Sequence, residues 1–366
     1  MLILLFIYLL FSFFYSVSGF SAELPDNGEY VTRERTTMIN GWFIWLVFLS
    51  HISGYKFEMP QTDYILLRLT IHQFWQCVVA TFFFYSGYGI MTSLIKKGGS
   101  YAKSLIYHRF SLLLLHFAIA VMIFVGVQYC MGVSFPIEKI LLSLIGWNSV
   151  GNSNWFIFIT LVGYLFVAVS YFVLHKIGRF CIVGAVTIAF CILIYALKFK
   201  GGYWVDTCLC IPAGMLFCLL RKRIEIIIRS SCVPVWIFGI LGTSLGVFFY
   251  RFSVRYFGLY GANIGAIFFA FGILLIFAGF RFKRMPKFLC WSGGPALFFL
   301  YVFQRIPMLL GVHWGIHTIQ PYLYEFFCLV VTLLLALLSG RIFPWCDKQL
   351  ANMGNMCKKL LLTWQK

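Results

Sequence analysis

Residues 41–52 read GWFIWLVFLSHI, an apolar run with one titratable side chain, His51, inside it. A polar group at membrane depth is expensive, and it usually faces a protein interior or a water-filled cavity where it has a job. The fold and the function both turn on what surrounds this run.

Outward from it, the same apolar character repeats. The 366 residues are 61% hydrophobic and 11% charged, more apolar surface than a soluble domain of this size can hide, so lipid solvates much of it. Eleven apolar runs fall at 2–18, 41–57, 70–94, 110–132, 155–174, 180–197, 203–220, 233–250, 259–279, 291–311 and 322–343. Each is long enough to cross ~30 Å of hydrocarbon as helix. The ten-residue alternation of a barrel strand is absent. The expected fold is all-α, a polytopic transmembrane helical bundle of about ten core helices plus one N-terminal hydrophobic segment.

Lys and Arg set the orientation. Segments 20–40, 95–109, 175–179, 221–231, 280–287 and 341–366 hold 21 of the 29, and the alternate loops hold seven: Lys56, Arg68, Lys139, Lys198, Lys200, Arg251 and Arg255. That asymmetry places the first set in the cytoplasm and the N-terminus outside, with the cell membrane as the site. The +18 net charge is therefore mostly a topology signal. A nucleic-acid partner would need a soluble basic domain, and no stretch supplies one. The first run is expected as a retained helix, since a signal sequence would carry a basic n-region. Residues 1–35 form that segment and a short loop, 36–350 one membrane domain, and 351–366 a basic tail. The twelve cysteines are scattered, Cys77, Cys181, Cys208, Cys218 and Cys328 among them, and read as small buried hydrophobes with no metal spacing. The run IEKILLSLIGW (137–147) reads as a short interfacial helix.

Several polar residues stand out against this background. Eleven residues at 100° each return to about the same face, so Asn40 and His51 share a stripe ~16 Å apart. A neutral imidazole there accepts a proton from an attacking hydroxyl; the plainer reading is a histidine hydrogen-bonded for packing. In FFFYSGYGIMTSLIKKGG (82–99), Ser86, Gly87 and Gly89 let a backbone or a ligand come close. Arg109 and His116, seven apart, share a helical face; Arg109 suits a phosphate or a lipid headgroup. In GNSNWF (151–156), which includes Asn152 and Trp155, Asn154 is placed to cap a helix. Tyr203, Trp204 and Asp206 sit at one helix end, and Asp206 and Glu325 lie near enough to the outer surface to be hydrated. In LYVFQRIP (300–307), Tyr301, Gln304 and Arg305 are neighbours at i, i+3 and i+4, and Pro307 breaks the helix beyond. Arg305 needs an acceptor: Asp206, Glu325 or a ligand.

In their order, TTMINGWFIWLVFLSH (36–51), FFFYSGYGIMTSLIKKGGSYAKS (82–104), HRF (108–110), GNSNWF and QRIPM (304–308) resemble the acyltransferase-3 family of integral membrane O-acyltransferases, especially its polysaccharide and fucose O-acetylase-like members. The resemblance covers roughly residues 33–350. It implies transfer of an acyl group, most often acetyl, from cytoplasmic acyl-CoA to a hydroxyl of a cell-envelope polysaccharide or lipid-linked glycan. Acetyl-CoA is then a co-substrate, with no bound cofactor and no metal. His51 becomes the catalytic residue. Asn40, Ser86, Arg109 and His116 fall to the donor, and Asn152, Trp155, Tyr203, Asp206, Gln304 and Arg305 to the acceptor or an oxyanion. The family usually has Arg or Lys where Asn40 stands, and often a second arginine where Leu112 stands. The rival reading is a transporter or flippase of lipid-linked sugars, with His51, Asp206 and Arg305 along its pathway.

Overall fold

The computed structural model describes residues 2–55, 60–70, 74, 76–252 and 254–364, with side chains except at 27, 254, 255 and 349–364. About 81% of the chain is helical, as expected of an all-α bundle. Seven helices among the described residues are long and apolar enough to cross a membrane, which makes this a multi-pass membrane protein.

The helices are α1 (Leu2–Ser16), α2 (Arg33–Ser53), α3 (Gln61–Leu69), α4 (Cys77–Lys97) and α5 (Gly99–Ser104). A π-helical turn, Leu105–Phe110, leads into α6 (Ser111–Cys130), followed by α7 (Ile137–Leu144), α8 (Trp155–Leu174) and α9 (Arg179–Leu197). Then come α10 (Cys210–Ser230), α11 (Val235–Phe252), α12 (Val254–Ala278) and α13 (Lys287–Ser292). The chain closes with α14 (Leu297–Phe303), α15 (Arg305–His313), α16 (Ile316–Ile319) and α17 (Pro321–Trp364). An unforeseen ribbon pairs β1 (Val17–Phe20) antiparallel with β2 (Phe280–Phe282).

Burial sorts the helices. In α1, Leu2, Phe6, Leu9 and Phe13 are buried at alternating spacings of four and three, one stripe of a helix, while Leu4, Ile7, Phe11 and Phe14 face outward. An outer face this apolar is stable only against lipid. Of the seven membrane-length helices, α4 and α12 are the most buried, so they form the centre. α7 is the short helix expected within 137–147, with Ile137 and Leu141 exposed.

Close backbone contacts fix the parts that matter. A Cβ on Gly87 would fall 1.9 Å from the Ile211 carbonyl oxygen, and one on Gly214 1.9 Å from that of Phe84, so α4 and α10 touch backbone to backbone. α2 is capped by the Thr32 hydroxyl, which accepts from the Arg35 amide at 3.5 Å. It is clamped to α13: a Cβ on Gly41 would lie 2.0 Å from the Leu289 carbonyl oxygen, and Trp45 Nε1 donates to Ser292 Oγ at 3.2 Å. Gly41→Ala must therefore part these two helices. The expected loss is about 1–3 kcal/mol of stability, read as a lower apparent Tm of the detergent-solubilised protein, and an unchanged Tm would show that the contact yields.

Several boundaries differ from those expected. α2 starts eight residues before the apolar run at 41 and stops at Ser53; residue 57, like loop cation Lys56, lies outside the described residues. The run at 70–94 becomes α4 from Cys77, and its residues 71–73 and 75 lie outside the described set, as does the side chain of Arg255. The run at 203–220 shifts to α10, because Gly201 (φ +105°) and a 3₁₀ turn at Gly202–Trp204 occupy its start. The run at 291–311 is not one helix: the chain turns at Gly293, whose Cβ position is filled by Thr37 O at 1.9 Å. Pro307 sits tolerated in the first turn of α15, and the interruption precedes it at Gln304. α17 runs without a break through 350; the side chains of the basic tail lie outside the described set. Cys77, Cys208 and Cys328 are buried as expected, Cys218 is partly so, and Cys181 faces outward.

Candidate functional site

A cavity of about 1350 Å³ opens among α2, α4, α8, α10 and the π-helical turn. It exceeds the ~300–1,000 Å³ of ordinary small-molecule pockets. From Lys96 down to Phe82, both on its wall, α4 spans about 21 Å of rise. The mouth carries Arg33, Lys96, Arg109, Arg179, Arg221, Lys222 and Arg223, and no carboxylate lines the cavity among the described residues. Low-dielectric walls with one sign of charge concentrate an anionic ligand. The floor is aromatic: Phe82, Phe83, Phe156 and Tyr301.

Each mouth cation is placed by its own element. Arg221 leaves α10 to donate to the Tyr88 hydroxyl at 3.0 Å and pairs with Glu225 one turn on, at 3.4 Å. The segment Asp26–Val31 lies across this end. Tyr30 donates to Glu225 at 3.0 Å, Arg229 pairs with Asp26, and Gly28 (φ +74°) leaves room for the Arg221 guanidinium. Burial, with Glu225 alongside, raises the Tyr30 phenol well above its ordinary value, so it remains a donor. Arg109 lies over the Tyr101 ring at 5.2 Å and contacts Tyr164.

The expected donor residues divide. Asn40, Ser86 and Arg109 all line the cavity, and the Asn40 Oδ1 is buried without a partner among the described residues. Gly87 is a packing residue, whereas nothing lies within 4 Å of a Cβ on Gly89, which borders open space. His116 is elsewhere: its Nε2 is 2.9 Å from Asp347 Oδ1, and its ring meets Phe343 edge-on at 4.9 Å. Arg109 lies in the π turn at the cavity mouth, whereas His116, two turns further along in α6, packs against α17.

His51, in the last turn of α2, meets Tyr301, Gln304 and Arg305. The Tyr301 ring centroid is 6.1 Å from that of the imidazole, and both Gln304 and Arg305 act on the ring, Gln304 as a hydrogen-bonding group. Gln304 Nε2 donates to the Tyr301 carbonyl at 3.0 Å, which leaves the side-chain carbonyl for the His51 ring. Among the described residues, the imidazole Nδ1, the Arg305 Nε and the Tyr301 hydroxyl are buried with no hydrogen bond of ordinary geometry. Buried polar groups are nearly always satisfied, so such a concentration marks a place that takes water or a ligand. Tyr301 is the limit of the cavity toward α2's last turn, and His51, itself partly exposed, is not among the lining residues.

On the acceptor side, Asn152 Oδ1 accepts from the Val150 amide at 3.1 Å and so holds its own turn together. Its neighbour Ser153 lies close to Tyr301. Trp155 is buried and meets exposed Tyr203 edge-on at 6.5 Å. Asn154 makes no side-chain cap; it donates to the carbonyls of Gly146 and Asn148 at 2.9 and 3.1 Å, tying the loop down. Asp206 and Glu325 are buried, not hydrated. Asp206 accepts from the Tyr250 hydroxyl, and among the described residues Arg305 forms an ion pair with neither acid.

From the sequence, Arg109 and the basic loop 95–109 are expected at the donor entrance on a basic cytoplasmic face, while Arg33, Arg179, Arg221, Lys222 and Arg223 are not singled out. The triplet RKR at 221–223, at the inner end of an apolar helix, was the readable hint of a binding cluster. Compared with known proteins, the chain matches no family model, no curated sequence and no solved structure.

Proposed function

We propose that this protein is a membrane-embedded O-acyltransferase, moving an acetyl group from acetyl-CoA, or a related acyl-CoA, to a hydroxyl of a cell-envelope polysaccharide or lipid-linked glycan. The observation that carries the reading is the cavity: seven cations at one end, an aromatic floor at the other, and a histidine with an unpartnered ring nitrogen behind that floor. A long polyanion with an uncharged reactive tip suits that gradient, and the sequence resemblance points to the same donor. The basic end faces the cytoplasm and the N-terminus lies outside. Counting α2 and α10, whose charged ends project past the hydrocarbon, and the broken α13–α15 segment, about ten core helices surround the site, with α1 at the rim.

In this mechanism the donor phosphates rest on Arg179, Arg221, Lys222 and Arg223, and the acyl end points toward Tyr301. A proton on His51 Nε2 aimed at the Gln304 carbonyl leaves the Nδ1 lone pair as the base. The acceptor O–H bond breaks as its proton passes to His51, the oxygen bonds to the acyl carbon, and the C–S bond breaks. The thiolate then takes the proton back from the imidazolium. Arg305 stabilises the developing oxyanion.

The test is incubation of purified protein with acetyl-CoA labelled in the acetyl group and envelope glycan from cells lacking the protein. Label in ester linkage on the glycan is expected. Translocation of a lipid-linked sugar with no label transferred would favour the transport reading instead.

A further inference from the structure

We infer that the Tyr301 ring is a gate between the donor cavity and His51, closed in this conformation. Tyr301 lines the cavity, and its ring centroid lies 6.1 Å from that of His51 and 5.1 Å from that of Phe156. The residue is 3% exposed, so it fills the gap between these neighbours. No other residue that lines the cavity has a ring contact with His51 among the described residues.

Two features make the ring a movable part rather than a wall. Its hydroxyl lies near the Phe156 backbone and the Ser153 side chain, and among the described residues no hydrogen bond of ordinary geometry ties it down. Its backbone is anchored, since Gln304 Nε2 holds the Tyr301 carbonyl, and Val302 and Phe303 are buried alongside. Motion is thereby confined to the side chain, and the cavity offers the space to receive it. A swing into the cavity brings the hydroxyl to the tip of whatever ligand lies there. It also uncovers His51 from the basic end.

The consequence for catalysis rests on the acyltransferase reading: the acyl carbonyl accepts a hydrogen bond from the Tyr301 hydroxyl as the ring opens, so the thioester meets the base only when the donor is seated. Tyr301 is then a positioning residue as well as a barrier.

The gate is tested without reference to turnover. His51→Cys is introduced with the twelve native cysteines left in place, and membrane vesicles of both orientations are treated with an impermeant anionic methanethiosulfonate. Labelling at position 51 is followed by peptide mass spectrometry. With Tyr301 present, labelling from the basic side should be slow. Tyr301→Ala and the more conservative Tyr301→Leu should each speed it by at least about tenfold, while Tyr301→Phe, which keeps the ring, should leave it slow. Equal rates with tyrosine, alanine and leucine would overturn the gate, as would a phenylalanine variant as fast as alanine. If the wild-type protein transfers no acetyl yet the His51→Cys series shows this labelling pattern, the gate stands and the acyltransferase reading falls. An active transferase with labelling indifferent to residue 301 would do the reverse.

Discussion

Replacing His51 by alanine lowers acyl transfer by about 10²–10⁴-fold, the usual worth of a positioned general base, and leaves donor affinity unchanged. The second half follows from the geometry: His51 does not line the cavity, so the donor binds without touching it. Stability should also change little. Nδ1 has no partner to lose, and the only group released is the Gln304 carbonyl, beside a partly exposed position. Initial rates of label transfer, set beside thermal melting of each solubilised variant, check both statements. A histidine kept only for packing would give the opposite pattern, a lower melting temperature with an unchanged rate per folded molecule.

The long apolar helices were legible because lipid imposes one requirement along their whole length. α8 occupies the 155–174 run as read, and α9 and α11 fall within two residues of theirs. Where charge enters, hydropathy stops reporting helix although the backbone hydrogen bonds continue, and so α2 and α10 run past their apolar stretches into basic ends. The broken segment at 291–311 was illegible for another reason. Gly293 turns there against the backbone of Thr37 and Gly41, about 250 positions away in sequence, and no local pattern records such a contact.

The candidate site was half legible for the same physical reasons. The i, i+3, i+4 spacing of Tyr301, Gln304 and Arg305 is helical arithmetic, and these three do converge on His51. Arg109 and His116 satisfy the same arithmetic, but the His116 ring meets Phe343 and Asp347 of α17, more than 220 positions on, which no local pattern records. Asp206 was expected near water because it lies at a helix end, whereas a tertiary partner, Tyr250, shelters it. Of the cations at the mouth, Arg109 and the loop 95–109 are legible as donor contacts, but Arg33, Arg179 and the 221–223 triplet are not. Only the packing of α2, α4, α9 and α10 brings them around one space.

Those cations give the other large effect. Lys222→Gln with Arg223→Gln should raise the KM for acyl-CoA by up to about fivefold per residue, since a charge pair at an exposed position is worth about 0.2–1 kcal/mol. The pair suits the test because both side chains are exposed and neither forms an ion pair among the described residues, so the fold loses nothing with them. Arg221 would be a poorer choice, being tied to Tyr88 and Glu225, so that its removal mixes binding with stability. The mouth lies about 20 Å along α4 from the aromatic floor, so these contacts hold ground state and transition state alike, and kcat should stay constant while KM climbs. The gap between wild type and variant should narrow as salt is added, because exposed charges are screened within ~10 Å at 0.1 M. Initial rates across donor concentrations at two ionic strengths decide it. A fall in kcat at constant KM would place Lys222 and Arg223 in the chemistry and remove them from donor binding.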